Sequence, residues 1–591
     1  MNMRRIYMVS AAMLMTAAVS FGQNFNPTVE VTNTYQGNAS EVHKPLLEMN
    51  VPDSLLRFDL DFDYEVFDKP YQGAYSFKPY MLDMRPAKDA WRGRKLYLKA
   101  GAGYTLHPQF EFVFSPEQSG PFQMSLYAGH KSFWGNYHEV APELKEGLFR
   151  LAKSGRGFKG YDALTSAGFD GRFNWDKAIL SFGVGYYGLA AKDTVMSRSY
   201  NAVDFKARVR SNNDSESYFL YDVGLRGRIA NDGLDYGSFA FPGGESVDNL
   251  GEGWFSVDAL AGPVLSARRS ILVGFEIESA SYSRFYNGNI GRVALTPSYR
   301  FKYGRWNLNL GVKLEFVFRN DASDTLFFSK MKGDAGQIFY PDAHVSFAAG
   351  ENVSLYADAT GGGRLNAYSS QISENHHLNP SFLVNRGFEF MTPLIDNTVE
   401  SLNARLGVRG GIASSLQFDV NGGFAMYGNA LMEAGLFTAD GTLVPSVVYS
   451  DMNVLYANVL LGWRPNRMKV DADFRYRNVS FPGKTPCYGF ALPKFSGEVR
   501  ASYDISSRIY AGVSVEAASW REGECASTVA EDFVKVRVPG YVDLGVNCGY
   551  KFNRKVELWL ESGNLLCQTI QRNPFYAEKG LWVTAGVSLN L

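Results

Sequence analysis

From about residue 95 to the end of the chain, apolar side chains recur at every second position. In 306–318, Trp306, Leu308, Leu310, Val312, Leu314, Phe316 and Phe318 share one face of an extended segment, with Asn307, Asn309, Gly311, Lys313 and Glu315 on the other. Met468, Val470, Ala472, Phe474 and Tyr476 alternate with Lys469, Asp471, Asp473, Arg475 and Arg477. Val203, Phe205, Ala207 and Val209 alternate with Asp204, Lys206, Arg208 and Arg210. A period of two marks β-strands with one apolar and one wet face. About 22 such segments can be traced, beginning near residues 95, 109, 122, 161, 177, 200, 218, 254, 270, 291, 305, 337, 352, 399, 416, 453, 468, 495, 508, 541, 555 and 581. They outrun the strands of soluble sheets and reach the length at which a tilted strand crosses a bilayer.

The connections alternate between short and long. Short ones fall at 174–177, 266–269, 303–305, 349–352, 413–415, 464–467, 505–508 and 552–554. Long ones fall at 135–160, 231–251, 320–336, 364–397, 428–451, 480–493 and 521–536. Short turns on one side and long loops on the other predict an all-β fold: a transmembrane antiparallel barrel with its turns in the periplasm. An even strand number places both barrel ends on that same side. Trp175, Trp306 and Trp463 flank short turns, where an aromatic girdle meets the membrane boundary.

The first residues set the compartment. Arg4 and Arg5 precede the uncharged apolar stretch 6–19, and Ser20-Phe21-Gly22 puts small residues at a cleavage position. This reads as a secretory signal peptide over 1–22. Residues 23–94 form an N-terminal segment and 95–591 the barrel.

Charge changes the picture only locally. With 59 Lys and Arg against 60 Asp and Glu, nothing favours nucleic acid. On the strands read most clearly, the lumen side carries Lys206, Arg208, Arg210, Arg226, Arg228, Lys313, Arg405, Arg409, Lys469, Arg475 and Arg477, against Asp204, Asp222, Glu315, Asp471 and Asp473. The wall is therefore expected to be mostly basic. In the N-terminal segment, Asp59, Asp61, Asp63 and Glu65 alternate with apolar residues, an acidic strand that such a field would attract. That segment either enters the lumen as a reduced plug or stays in the periplasm as a docking segment, for which 69–71 and 77–80 supply Pro and aromatic residues. As a calcium loop it fails, with Tyr64 at the glycine position and Pro70 at the closing glutamate.

Chemistry is sparse. The seven His are scattered, so no catalytic set is expected and the chain reads as a non-enzyme. His376-His377 lies in a long loop, where adjacent side chains of an extended backbone point apart and no metal or other cofactor is expected. Cys487, Cys525 and Cys567 fall in or near surface loops and leave room for one disulfide.

The final residues are the most specific. Leu581, Val583, Ala585, Val587, Leu589 and Leu591 alternate with small or polar residues to the very end. Before them run Val538-Pro539-Gly540-Tyr541, the basic turn around Lys551 to Asn553, Gly563-Asn564-Leu565 and Gly580-Leu581-Trp582. This order resembles the closing strands of TonB-dependent receptors. The resemblance implies an outer-membrane barrel of a Gram-negative bacterium, porin-like in architecture, that transports a solute or binds a ligand. It also implies a globular plug ahead of the barrel, for which 23–94 is too short. A barrel without a full plug could instead anchor an envelope complex. Outer-membrane lipid is the expected surroundings, with a periplasmic protein or a surface lipoprotein as partner and the solute unspecified.

Overall fold

The computed structural model describes residues 95–104, 106–116, 120–145, 147–193, 196–212, 218–236, 249–266, 268–284, 287–321, 338–378, 395–412, 415–437, 443–482, 489–527 and 532–591. The acidic stretch Asp59 to Glu65, the signal peptide and the rest of 1–94 lie outside them.

The strands are β1 (Leu96–Gly103), β2 (Gln109–Phe114), β3 (Phe122–Lys145), β4 (Leu148–Asn174), β5 (Ala178–Lys192), β6 (Met196–Ser211), β7 (Phe219–Tyr236) and β8 (Leu250–Ser266). There follow β9 (Arg269–Arg284), β10 (Gly288–Tyr303), β11 (Trp306–Asp321), β12 (Phe339–Ala348), β13 (Val353–Leu365), β14 (Asn397–Ile412), β15 (Leu416–Phe437) and β16 (Leu443–Trp463). Last come β17 (Met468–Ser480), β18 (Phe495–Asp504), β19 (Ile509–Ala518), β20 (Arg521–Ser527), β21 (Asp532–Val538), β22 (Tyr541–Lys551), β23 (Val556–Gly563) and β24 (Trp582–Asn590). Helix α1 (Tyr368–Glu374) lies between β13 and β14.

From β1 to β19 and from β22 to β24 each strand pairs antiparallel with the next, β19 pairs with β22, and β24 returns to β1 with Ala100 opposite Val587. Hairpin β20–β21 stands outside this ring, so 22 of the sheet's 24 strands close the barrel. Closure leaves no edge strand to be satisfied in hydrocarbon. At the seam, β-carbons added to Gly101 and Gly586 would lie 2.5 and 2.6 Å from the Trp559 ring, so this indole lies across bare backbone. Lys99 sits 4.1 Å above the same ring and reaches Glu561 at 2.8 Å.

The pleat sorts side chains as the period-two pattern requires. Leu310, Val312 and Phe316 of β11 are about half exposed on the outer face, while Lys313 and Glu315 between them are buried. Trp175, Trp306 and Trp463 are 48%, 46% and 42% exposed beside their turns, as a boundary girdle requires.

Three stretches expected as loops are hairpins instead. Strands β3 and β4 stay paired out to Lys145 and Leu148, with a register shift between His138 and Val140 and Gly147 in the left-handed region (φ 79°) at the turn. β15 and β16 pair out to Phe437 and Leu443, and 521–527 pairs with 532–538 as β20–β21. Their alternation is less regular than in the membrane band, because both faces meet water or other loops rather than one meeting lipid.

Candidate functional site

Two structures pack at the end of the barrel that carries the long connections. The first is the segment from Asn366 to Leu378, which runs from β13 onto the inner faces of β6 to β10. Leu365, Tyr368, Ile372, Leu378 and Ile395 are almost fully buried, packed with Leu189, Tyr200, Ala202, Ala230, Leu250, Ala280, Tyr282 and Ile290. The wall residues of this cluster come from the outer halves of their strands.

Polar contacts fix the segment more specifically. Arg198 donates from Nε to Asp232 at 3.0 Å and from Nη2 to the Tyr368 hydroxyl at 3.0 Å, and it also reaches the carbonyls of His376 and Leu378. Tyr368 donates its hydroxyl to the same Asp232. Glu252 accepts from the Ser369 amide at 3.1 Å, the Ser369 hydroxyl at 3.2 Å and the Tyr282 hydroxyl at 3.1 Å. At the tip, His376 Nδ1 lies 3.0 Å from Asp162, and the His377 ring stacks on Tyr576 with centroids 3.3 Å apart. Burial opposes a charge on His376, but the Asp162 carboxylate outweighs it and holds the imidazole pKa above its ordinary value. The two histidines thus serve different partners, as adjacent side chains must. No group of three or more His, Cys, Asp or Glu side chains suited to a metal occurs among the described residues.

The second structure is a cap above the mouth. β20 pairs parallel with the outer end of β15, through Leu436 and Ala526, and β21 pairs parallel with β4, through Val536 and Phe149. A continuous sheet therefore crosses from β15 to β4. Beneath it Val140, Leu151, Phe490, Cys525, Val536, Val538, Phe575 and Ala577 form an apolar core drawn from four surface segments. Arg572 fastens the last of these, donating to Glu516 at 2.9 Å and to Asp543 at 2.7 Å. Cap and inward segment touch: Asn573 donates to the Glu374 carbonyl at 3.2 Å, and Arg521 and Asn375 both bond Glu433.

The expected basic wall is corrected by its neighbours. Lys206 pairs with Asp170 at 2.7 Å, Arg208 with Asp222 at 2.6 Å, Arg226 with Asp258 at 3.6 Å and Arg228 with Asp204 at 2.6 Å. Lys313 lies 3.6 Å from Glu276, Arg405 2.6 Å from Asp358, and Arg475 donates to Asp473 at 3.0 Å. Arg409 donates to Ser354 at 3.2 Å. Arg210 and Arg477 make no ion pair with another described residue. Arg292, not counted before, is held by Glu276, Glu278 and Glu315. Asp170, Asp258, Glu276, Glu278 and Asp358 stand on β4, β8, β9 and β13, strands left out of the sequence count. Opposite charges thus stand across adjacent strands, and the wall is less basic than its lysines and arginines alone suggest.

The β13 bulge adds local shape. The register shifts between Thr360 and Gly362, and Gly362 has φ 139°. A β-carbon at Gly363 would lie 2.1 Å from Glu315 Oε1, so only glycine lets this carboxylate press against β13.

Arg198, Asp232, Glu252, Tyr282 and Tyr368 escaped the sequence reading. Arg198 has the parity of Lys206 and Arg208 but lies beyond the apolar part of its strand, which was the available signal. Cys525 is buried in the cap core and Cys567 is exposed, while Cys487 lies outside the described residues.

No family model matches the sequence, and no curated protein matches it. Solved structures match its fold. The receptor FpvA of P. aeruginosa, bound to heterologous pyoverdines, aligns with TM-score 0.59 at 11% identity over 84% of this chain and 72% of that one. The siderophore receptor PirA from Acinetobacter baumannii aligns with TM-score 0.59 at 10% identity, over 84% and 80%. The copper transporter OprC aligns with TM-score 0.58 at 12% identity, over 84% and 80%. The 22-strand ring is the fold of a TonB-dependent receptor-like outer-membrane barrel.

Proposed function

We propose that this chain is an outer-membrane transport or receptor barrel whose outer mouth is closed by its own surface segments and opens to a ligand arriving from outside. The observation that carries this reading is the seating of 366–378. Beside its apolar contacts it is fixed by a limited set of charged and hydroxyl groups at the outer end of the wall, for which a polar ligand can compete. Solved receptors of this fold are named for siderophores and copper, which makes a metal chelate the first class of ligand to try. On this reading 1–22 directs export and is removed near Gly22, and 23–94 acts below the barrel as a reduced plug or docking segment.

The test is conductance in planar bilayers of the wild-type chain and of an Arg198→Ala, Glu252→Ala double variant. The wild type is expected to conduct poorly and the variant to show large, long-lived openings. Equal, near-zero conductance of both would overturn the gating, and a second polypeptide retained stoichiometrically in mild detergent would favour the anchoring role instead.

A further inference from the structure

On the outward face of β5 to β9 the apolar band ends along one line. Going toward the outer rim, Val203 gives way to Asn201 on β6, Ile229 to Asn231 on β7, Phe255 to Gly253 on β8, and Ile277 to Ser279 and Ser281 on β9. A groove of about 470 Å³ lies on this line. Its floor is Gly251, Gly253, Ser281 and Ser283, where the strands carry almost no side chain. A β-carbon at Gly253 would come 3.0 Å from the Ser281 hydroxyl, so a side chain at this position would take up part of the floor. Its lower walls are Tyr186, Val203 and Ile229, which are 41%, 49% and 68% exposed toward the membrane.

The upper rim carries a positive charge. Arg284 ends β9 with φ 75°, a conformation rare for a bulky side chain, and lines the groove. Its Nη1 donates to Asn231 at 2.8 Å. That bond occupies one of five guanidinium donors and orients the remaining face. A cation and amides above, bare backbone in the middle and aliphatic walls below match a molecule with an anionic head and hydrocarbon tails. The interface of an outer leaflet supplies such a molecule at the height of the groove.

We infer that this groove holds an anionic lipid of the outer leaflet whose head is a phosphomonoester, with the phosphate on Arg284 beside Asn201 and Asn231 and an acyl chain descending between Val203 and Ile229. The site faces the membrane, and it backs onto the mouth through Glu252 and Tyr282, which also line it.

The full chain, purified in detergent, is titrated with phosphatidic acid and with phosphatidylcholine of identical acyl chains, and bound lipid is counted by native mass spectrometry. Wild type is expected to retain phosphatidic acid preferentially. Arg284→Gln lowers that retention by about tenfold, the scale of one charge-assisted hydrogen bond, while Arg284→Lys keeps most of it. Gly253→Leu fills the groove and removes binding of both lipids. Heat-modifiable migration on gels shows that each variant is a folded barrel. Equal retention of the two lipids, unchanged retention in Arg284→Gln, or a co-purifying polypeptide in place of lipid overturns the assignment.

Discussion

Arg198 of β6 and Asp232 of β7 form an ion pair at 3.0 Å with both side chains at 0% exposure, and the guanidinium spends its other donors on the inward segment. Neighbouring strands thus hold a charge pair that is only dry when the segment is seated.

Removing one partner should therefore be worse than removing both. Arg198→Met leaves Asp232 buried without its cation and is expected to destabilise the seated segment by about 3–5 kcal/mol. Arg198→Met with Asp232→Leu should recover most of that loss. Limited proteolysis in the segment, followed with denaturant, measures both; a double variant no better than the single one counts against the pair as the anchor.

The tip is expected to respond to pH. The pKa of His376 is raised in the folded chain, so its contribution is fully present below the unfolded value of about 6.5 and is lost as pH rises through the folded value. Openings should become more frequent toward alkaline pH in wild type. His376→Gln should flatten that profile. Conductance recorded from pH 5 to 9 decides, and a profile unchanged by the substitution would exclude this histidine.

Lys579 works in the opposite sense. Burial, then repulsion by Lys131, lowers its pKa to about 7, and its amine lies 3.2 Å from His107 Nε2 and 4.5 Å from the Trp582 ring. The unfolded chain binds more protons there above that value, so the local contribution to stability increases as pH rises from 7 toward 10. Lys579→Met should raise resistance to thermal unfolding more at pH 6 than at pH 9. A gain of equal size at both values would assign the effect to packing.

The seam is predicted to be intolerant of volume. A β-carbon at Gly586 would meet the Ala100 carbonyl at 2.1 Å as well as Trp559. Gly586→Val is expected to cost 1–3 kcal/mol or more and to reduce the folded, heat-modifiable fraction. Pairing it with Trp559→Ala should restore only part, because the clash with Ala100 is to backbone.

The ring was legible because lipid imposes a strict period of two on every strand. Of the 22 segment starts traced by alternation, 20 fall within four residues of an observed strand start. What the alternation missed lies where lipid no longer acts: the extensions of β3, β4, β15 and β16, and hairpin β20–β21, whose two faces share no common solvent. The wall charges were misjudged for a related reason. Lys206 and Arg226 are visible one strand at a time, but Asp170 and Asp258 become their partners only through register. The seating of Tyr368 against Arg198 joins residues 170 positions apart in the chain, and no local pattern encodes it.

The sheet across the mouth also implies an order of events. β21 pairs with β4, whose strand enters the ring early in the chain, while β20 pairs with β15, and the β1–β24 seam lies between β22 and β4 along the wall. The two docking edges acquire their final spacing only once that seam has zipped. Cap formation is therefore a late, non-local step, and protection of the amides of Val536 and Ala526 from hydrogen exchange would report that a newly inserted chain has become a finished cylinder.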